Sequence, residues 1–205
     1  MISESMIEAL RERIEKILSA PRFSHTLGVE RCAERLAELC SPDKKTEIRA
    51  AALLHDVTKE LSFDEHIKIL SENGFPLSEE DKSSSGVLHS FSAPFVIARD
   101  FLEFCDSEIL SSVFKHTLGD EEMSVFDEII FLADFIEETR EYDSSIKVRG
   151  FVFENMKNDQ IEENVKILHR ACLMEIESTV SHLSKAKRPI HTKTKKAMDA
   201  LIAKL

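Results

Sequence analysis

Apolar residues recur at helical spacing along nearly the whole chain. After Ser3, a possible cap, Ile7, Leu10, Ile14, Ile17 and Leu18 fall on one helical face, with Pro21 marking the expected end. Leu27, Val29, Cys32, Ala33, Leu36 and Leu39 predict a second helix that stops at Ser41-Pro42. A third starts near Asp43 and runs through Ile48 and Ala50-Ala51-Ala52 to Leu53-Leu54-His55-Asp56. Further helices are predicted over 63–73, 88–104, 106–117, 124–138, 146–157, 160–185 and 193–204, with Ser83–Gly86 and Leu118–Met123 as loops. No alternating pattern lasts long enough for a strand. There is no internal repeat and no linker rich in Pro, Gly or Ser. The pattern predicts one all-α domain, with a core over about 20–140 and a helical extension over about 141–205 packed on it.

Composition narrows the function. Lys and Arg number 27 against 38 Asp and Glu, a net charge of −11. That charge argues against broad electrostatic binding to nucleic acid or to an anionic membrane. It leaves room for a small anionic ligand, because a bound metal dominates its local field. The apolar run Ile129–Ala133 is far shorter than a membrane span, and the first residues lack the basic-then-apolar order of a secretory signal. Cys32, Cys40, Cys105 and Cys172 form no Cys-x-x-Cys pair and read as free buried thiols in a reducing cytoplasm, which disfavours thiolate zinc. Five glycines, none in a dinucleotide-binding or P-loop pattern, give no phosphate-cradling loop.

The candidate chemistry lies where polar residues interrupt apolar helices. Asp134 sits in Ile129-Ile130-Phe131-Leu132-Ala133-Asp134-Phe135-Ile136, a helix apolar nearly all round and hence expected to be buried. A buried carboxylate costs several kcal/mol unless a cation, a helix N-terminus or a metal compensates it. His55 and Asp56 follow a stretch of small and apolar residues that allows close helix approach. His25, His89 and His116 stand at the edges of other apolar helices. His66, His169 and His182 read as ordinary surface residues. Four imidazoles and two carboxylates are the donor types that iron, manganese, zinc or cobalt prefer. Spacing leaves open whether the helices converge.

An isolated His, an adjacent His-Asp about thirty residues on, and a distant Asp resemble the HD-domain superfamily of metal-dependent phosphohydrolases. The chain from about Arg22 to His191 is similar to a narrower branch, the YqeK family of symmetrical bis(5′-nucleosyl)-tetraphosphatases. The likeness rests on Arg22–Val29, Ala51–Lys59, Leu88-His89-Ser90, His116-Thr117, Ala133–Glu137 with Arg140, and Lys187-Arg188-Pro189-Ile190-His191.

The resemblance implies an all-α HD-type helical bundle and hydrolysis of diadenosine tetraphosphate to two ADP by a metal-activated water. It implies one or two divalent transition-metal ions, iron first and manganese as another choice. His25, His55, Asp56 and Asp134 would hold the first ion. Asp56 would bridge to a second, completed by His89 and His116. Asp56 and Lys59 would be the catalytic pair. Arg22, Lys59, His89, Thr117, Arg140, Arg188 and His191 would contact the substrate. From the residues themselves, Lys59 projects from the same face as Asp56 if the helix continues, with a surface lysine paired with Glu60 or another acid as the lesser alternative, and Arg140 is equally a partner of Glu137 at i,i+3.

Three blocks depart from the family pattern. His116-Thr117-Leu118-Gly119-Asp120 lacks one hydroxyl and carries an acid where a base is expected. His89-Ser90-Phe91 stands for His-Gly-Pro, and Ile136-Glu137-Glu138 lacks a proline. Two alternatives therefore stand: a phosphohydrolase for another nucleotide or phosphoester, and a non-catalytic nucleotide-sensing module. The expected partner is a small molecule, in the cytoplasm. The apolar patch Phe101-Leu102-Glu103-Phe104 is either core or a homodimer interface.

Overall fold

The computed structural model describes residues 2–205. Among them the chain forms eleven α-helices and no strand: α1 (Glu4–Glu15), α2 (Ala20–Cys40), α3 (Lys45–Leu54), α4 (Phe63–Glu72), α5 (Glu79–Ser83), α6 (Leu88–Asp100), α7 (Ser107–Lys115), α8 (Val125–Ile136), α9 (Asp143–Asn155), α10 (Ile161–Lys185) and α11 (Thr192–Lys204). Helix starts are set locally. The Ser3 side chain accepts from Met6 N, and Ser62/Glu65, Ser78/Asp81 and Ser124/Asp127 form reciprocal capping boxes.

Helix α8 is the hub, packed on α2, α7, α9 and α10; α3 fills the gap between α2 and α7. Its residues Ile129, Ile130, Phe131, Leu132 and Ala133 are all buried, as the all-round apolar pattern requires. Ala50, Ala51 and Ala52 of α3 are fully buried, and their small side chains let α2 and α3 pack closely. Each buried Leu or Ile contributes roughly 1.5–3 kcal/mol, so this cluster holds the helix ends that carry the polar residues. Helix α10 backs α8, and α11 returns along α10.

The expected elements are present, with boundary corrections. Helix α1 stops at Glu15, well before Pro21; Ile17 is 49 % exposed, and Pro21 instead stands in the first turn of α2, where its missing N–H costs nothing. The helix expected over 88–104 ends at Asp100, because Phe101 leaves helical geometry. Phe101 and Phe104 then turn into the core, while Leu102 is 72 % exposed. Ser83–Gly86 is partly helical, with α5 ending there and a short 3-10 turn over Ser85–Val87. Helix α9 begins at Asp143, three residues early.

Some residues also sit differently. His66 is buried, with Nδ1 2.8 Å from Ser92 Oγ, because α4 lies on α6. His169 is half-buried against Glu128, 2.5 Å away. Cys105 is exposed, unlike the other three cysteines. No helix of the described residues is long and apolar enough to cross a membrane.

Candidate active site

Five segments deliver their polar residues to one point. His25 lies on α2, His55 and Asp56 directly follow α3, His89 stands in the first turn of α6, His116 directly follows α7, and Asp134 is near the end of α8. After Leu54 the chain leaves α3 through successive tight turns, closed by Val57 N donating to Leu54 O and Lys59 N to Asp56 O. This places Asp56 at the centre. Its Oδ1 lies 3.2 Å from His89 Nε2 and 3.7 Å from His116 Nε2. Its Oδ2 lies 3.4 Å from His55 Nε2 and 3.9 Å from His25 Nε2. Asp134 Oδ1 is 3.0 Å from His25 Nε2, and the Nε2 atoms of His89 and His116 are 3.0 Å apart.

The imidazoles are held from behind. His55 Nδ1 donates to Ala52 O and His116 Nδ1 to Val113 O, both at 2.7 Å. A carbonyl only accepts, so each of these Nδ1 atoms carries a proton and each Nε2 is turned toward the centre. His25 Nδ1 meets Glu137 Oε1 at 3.1 Å. An outer partner on the far nitrogen is the usual arrangement of a metal-binding histidine.

The donors fit a metal. His25 Nε2, His55 Nε2 and Asp56 Oδ1 are buried and have no hydrogen-bond partner. Buried polar atoms without partners are costly, and three facing one point call for a ligand. Two triads gather donor atoms within 4.8 Å of one another: His25, His55 and Asp134, and His55, Asp56 and His116. They share His55, so the cluster is compact enough for either one ion or a close pair. Both triads combine imidazole with carboxylate, the donor chemistry of divalent transition metals.

A family model for the HD domain matches residues 22–203 of this sequence. The chain belongs to the HD-domain family. It is 30 % identical over 179 residues to the symmetrical bis(5′-nucleosyl)-tetraphosphatase of Halalkalibacterium halodurans, which covers 86 % of this chain and 87 % of that one. The enzyme of the same description from Bacillus subtilis is 28 % identical over 182 residues, 88 % of this chain and 89 % of that one. Among solved structures, a predicted HD superfamily hydrolase involved in NAD metabolism from Clostridium acetobutylicum matches all of both chains, with a TM-score of 0.84 and 27 % identity. The all-α fold expected from the helical pattern is the HD fold.

Around the HD cluster stand three cations. Arg22 donates to Asp56 Oδ2 at 2.9 Å. Arg140 donates to Asp134 Oδ1 at 2.7 Å and to the Asp134 carbonyl at 3.0 Å, closer than its 3.8 Å approach to Glu137. Lys59 Nζ lies 3.1 Å from His89 Nε2 and 3.7 Å from Asp56 Oδ1, although the helix does not continue to it. Thr117 Oγ1 is within 3.2 Å of both His89 and His116. Asp134 is not sealed in the core: its side chain is 23 % exposed and opens toward the cluster.

Two expected contacts lie apart. Among the described residues, no hydrogen bond or ion pair joins Arg188 or His191 to the six donors. Arg188 is exposed. His191 is buried, caps α11 through Lys193 N, and sets its Nε2 3.1 Å from Asp81 Oδ1. The unusual acid Asp120 is neutralised by Lys193 Nζ at 2.9 Å, so α11 returns a cation to the altered segment.

Charge balance follows from the contacts. Desolvation opposes ionisation of Asp56, but the imidazoles of His55, His116 and His89 that face it hold its carboxyl well below the ordinary range. For Asp134 desolvation is overcome by the His25 imidazole 3.0 Å away and by His55 and the Arg140 guanidinium, again well below the ordinary range. Burial pushes His89 down to about 4, against the pull of the Asp56 carboxylate beside it. Burial also opposes protonation of His25, but Asp134 and Glu137 raise its pKa.

Glu137 is the residue that sequence reasoning missed. It is buried behind His25, and Thr139 N and Oγ1 donate to it at 2.7 and 2.6 Å. Gly28 makes room for it: a Cβ there would lie 2.3 Å from Glu137 Oε2. The available signal was an acid three residues after Asp134, beyond the helix end, and a glycine one turn after His25 on α2.

Proposed function

We propose that this chain hydrolyses diadenosine tetraphosphate symmetrically to two ADP. One observation carries the reading: four Nε2 atoms converge on Asp56, and for His25, His55 and His116 a partner on Nδ1 holds the ring in that orientation. It is supported by the chain's match to symmetrical tetraphosphatases over most of both sequences.

His25, His55, Asp56 and Asp134 hold one divalent ion in this proposal, and Asp56 with His89 and His116 completes a second position. Iron is the ion to test first, with manganese beside it. A metal bound here supplies Lewis acidity: it acidifies water at neutral pH and offsets phosphoryl charge. The chain's own residues do the rest. Asp56, ionised and acceptor-only, offers one oxygen toward each group of imidazoles. Arg22 and Arg140 present planar forks suited to phosphate oxygens. Lys59 Nζ, beside Asp56 and His89, stands where its charge offsets that of a non-bridging oxygen or of departing ADP. Thr117 offers a hydroxyl at the same edge. Arg188 serves as an outer contact, and His191 acts by seating α11.

The test is chromatographic identification of the products from protein reconstituted with iron or manganese, with His55→Ala/Asp56→Ala as the control for contaminants. ADP as the sole product, absent with the control, is the expected result. AMP plus ATP overturns the symmetric cleavage. Bound metal without turnover overturns the substrate assignment.

A further inference from the structure

Of the four histidines that face Asp56, three have their rings held from behind, His55 and His116 by carbonyls and His25 by Glu137. His89 has no such support. Among the described residues, the only group within hydrogen-bonding reach of its Nδ1 is Lys59 Nζ, at 3.4 Å. Its main chain is also loosely tied. No side-chain hydrogen bond caps α6, and Pro94, inside the helix, has no N–H to offer the carbonyl of Ser90.

His89 is gripped instead by a buried chain of polar side chains that enters from α4. Thr58 Oγ1 donates to His89 O at 2.9 Å. Ser92 Oγ donates to Thr58 Oγ1 at 3.0 Å, and His66 Nδ1 lies 2.8 Å from Ser92 Oγ. Thr58, Ser92 and His66 are all buried. A carbonyl only accepts, so the direction of the chain is forced. Thr58 gives its one proton to His89 O and accepts from Ser92. Ser92 gives its proton to Thr58 and accepts from His66, which must then carry a proton on Nδ1. Ser92 Oγ also approaches His89 O at 3.3 Å, a contact that uses the same proton and leaves His66 as the donor. Burial lowers the pKa of His66 and favours the neutral ring, which has one donor nitrogen to place. Polar groups buried between α4 and α6 are costly unless each is paired, and an apolar trio would pack the same faces without that cost.

We propose that His66, Ser92 and Thr58 are positioning residues, which hold the first turn of α6 so that the His89 ring faces Asp56 and His116. The inference rests on the proposed function, in which His89 is a metal ligand, and extends the site to a residue on α4 that touches none of the six donors.

Two measurements test it. Imidazole nitrogen NMR of the chain loaded with diamagnetic zinc should find the His66 proton on Nδ1; a proton on Nε2 overturns the chain of donors. Manganese binding, read from the free-ion EPR signal, should weaken about tenfold at the position His89 completes in Thr58→Val, which keeps the shape and removes the hydroxyl, and in His66→Leu. Thr58→Ser and His66→Asn, which keep the donors, should stay near wild type. In a His89→Ala background, Thr58→Val should have no further effect. Wild-type binding by Thr58→Val overturns the proposal. So does an equal loss with and without the His89 ring, which would make the chain a tie between α4 and α6 only. Unchanged manganese binding in His89→Ala itself would instead overturn the ligand role of His89 in the proposed function.

Discussion

Glu137 Oε1 stands 3.1 Å from His25 Nδ1, and this contact decides which edge of His25 faces Asp134. The carboxylate has little freedom to move, since Thr139 binds it twice and Gly28 borders it with less than a methyl group to spare. An outer partner of this kind typically governs metal affinity by 10- to 100-fold.

Gly28→Ala tests the contact without altering any donor. The new methyl would displace Glu137 from His25. Metal affinity measured by calorimetry should fall about 10- to 100-fold, with helicity retained. Wild-type affinity would remove Glu137 from the orientation of His25.

Asp134→Ala should leave a folded chain without its normal complement of metal, as read by elemental analysis of the purified variant. Asp134 completes the triad with His25 and His55. Full metal content would take Asp134 out of the site.

Lys59→Ala separates binding from turnover. Lys59 is near Asp56 but is no ligand, so metal content should be unchanged while kcat falls roughly a hundredfold or more. A rate equal to wild type would make Lys59 an ordinary surface lysine.

Glu175 gives a pH prediction away from the ligands. It lies on α10, and its Oε2 is buried without a hydrogen-bond partner. Burial first, and the Asp134 charge second, push its carboxyl well above the ordinary range, with Arg140 opposing. The folded chain therefore keeps a proton that the unfolded chain releases, and stability is lost as pH rises from the usual carboxyl range upward. Glu175→Gln removes that loss. Its Tm advantage over wild type should widen as pH rises above the usual carboxyl range. Parallel Tm curves would contradict the buried neutral carboxyl.

Lys187 ends α10 in the left-handed region, at φ 54°. Arg188 N donates to Leu183 O at 2.9 Å, the closing bond of a helix-terminating motif that favours glycine. Lys187→Gly should raise stability by about 0.5–1 kcal/mol in denaturant unfolding and leave turnover unchanged. A loss of stability would show that the Lys187 side chain holds the turn.

The helical pattern was readable because each helix buries one stripe, and α8 an entire circumference, so its apolar residues recur at the period of the backbone. Helix ends were less readable. Pro21 suits the start of a helix as well as the end of one, and Phe101 breaks α6 only because Phe101 and Phe104 both find the core there. His66 read as surface because nothing local shows α4 lying on α6. The donor types were also legible, since His55, Asp56 and Asp134 are costly in apolar surroundings and demand compensation.

Local chemistry along the chain was thus sufficient for an all-α protein with six polar groups in need of a partner. Tertiary packing decided the rest. It joined α2, α3, α6, α7 and α8 so that their helix ends meet within a few ångströms. It set Glu137 behind His25, turned His191 to Asp81, and paired Asp120 with Lys193. These relations depend on contacts between residues tens of positions apart. Periodicity carries no record of them, because it reports which face of a helix is buried and not what that face meets.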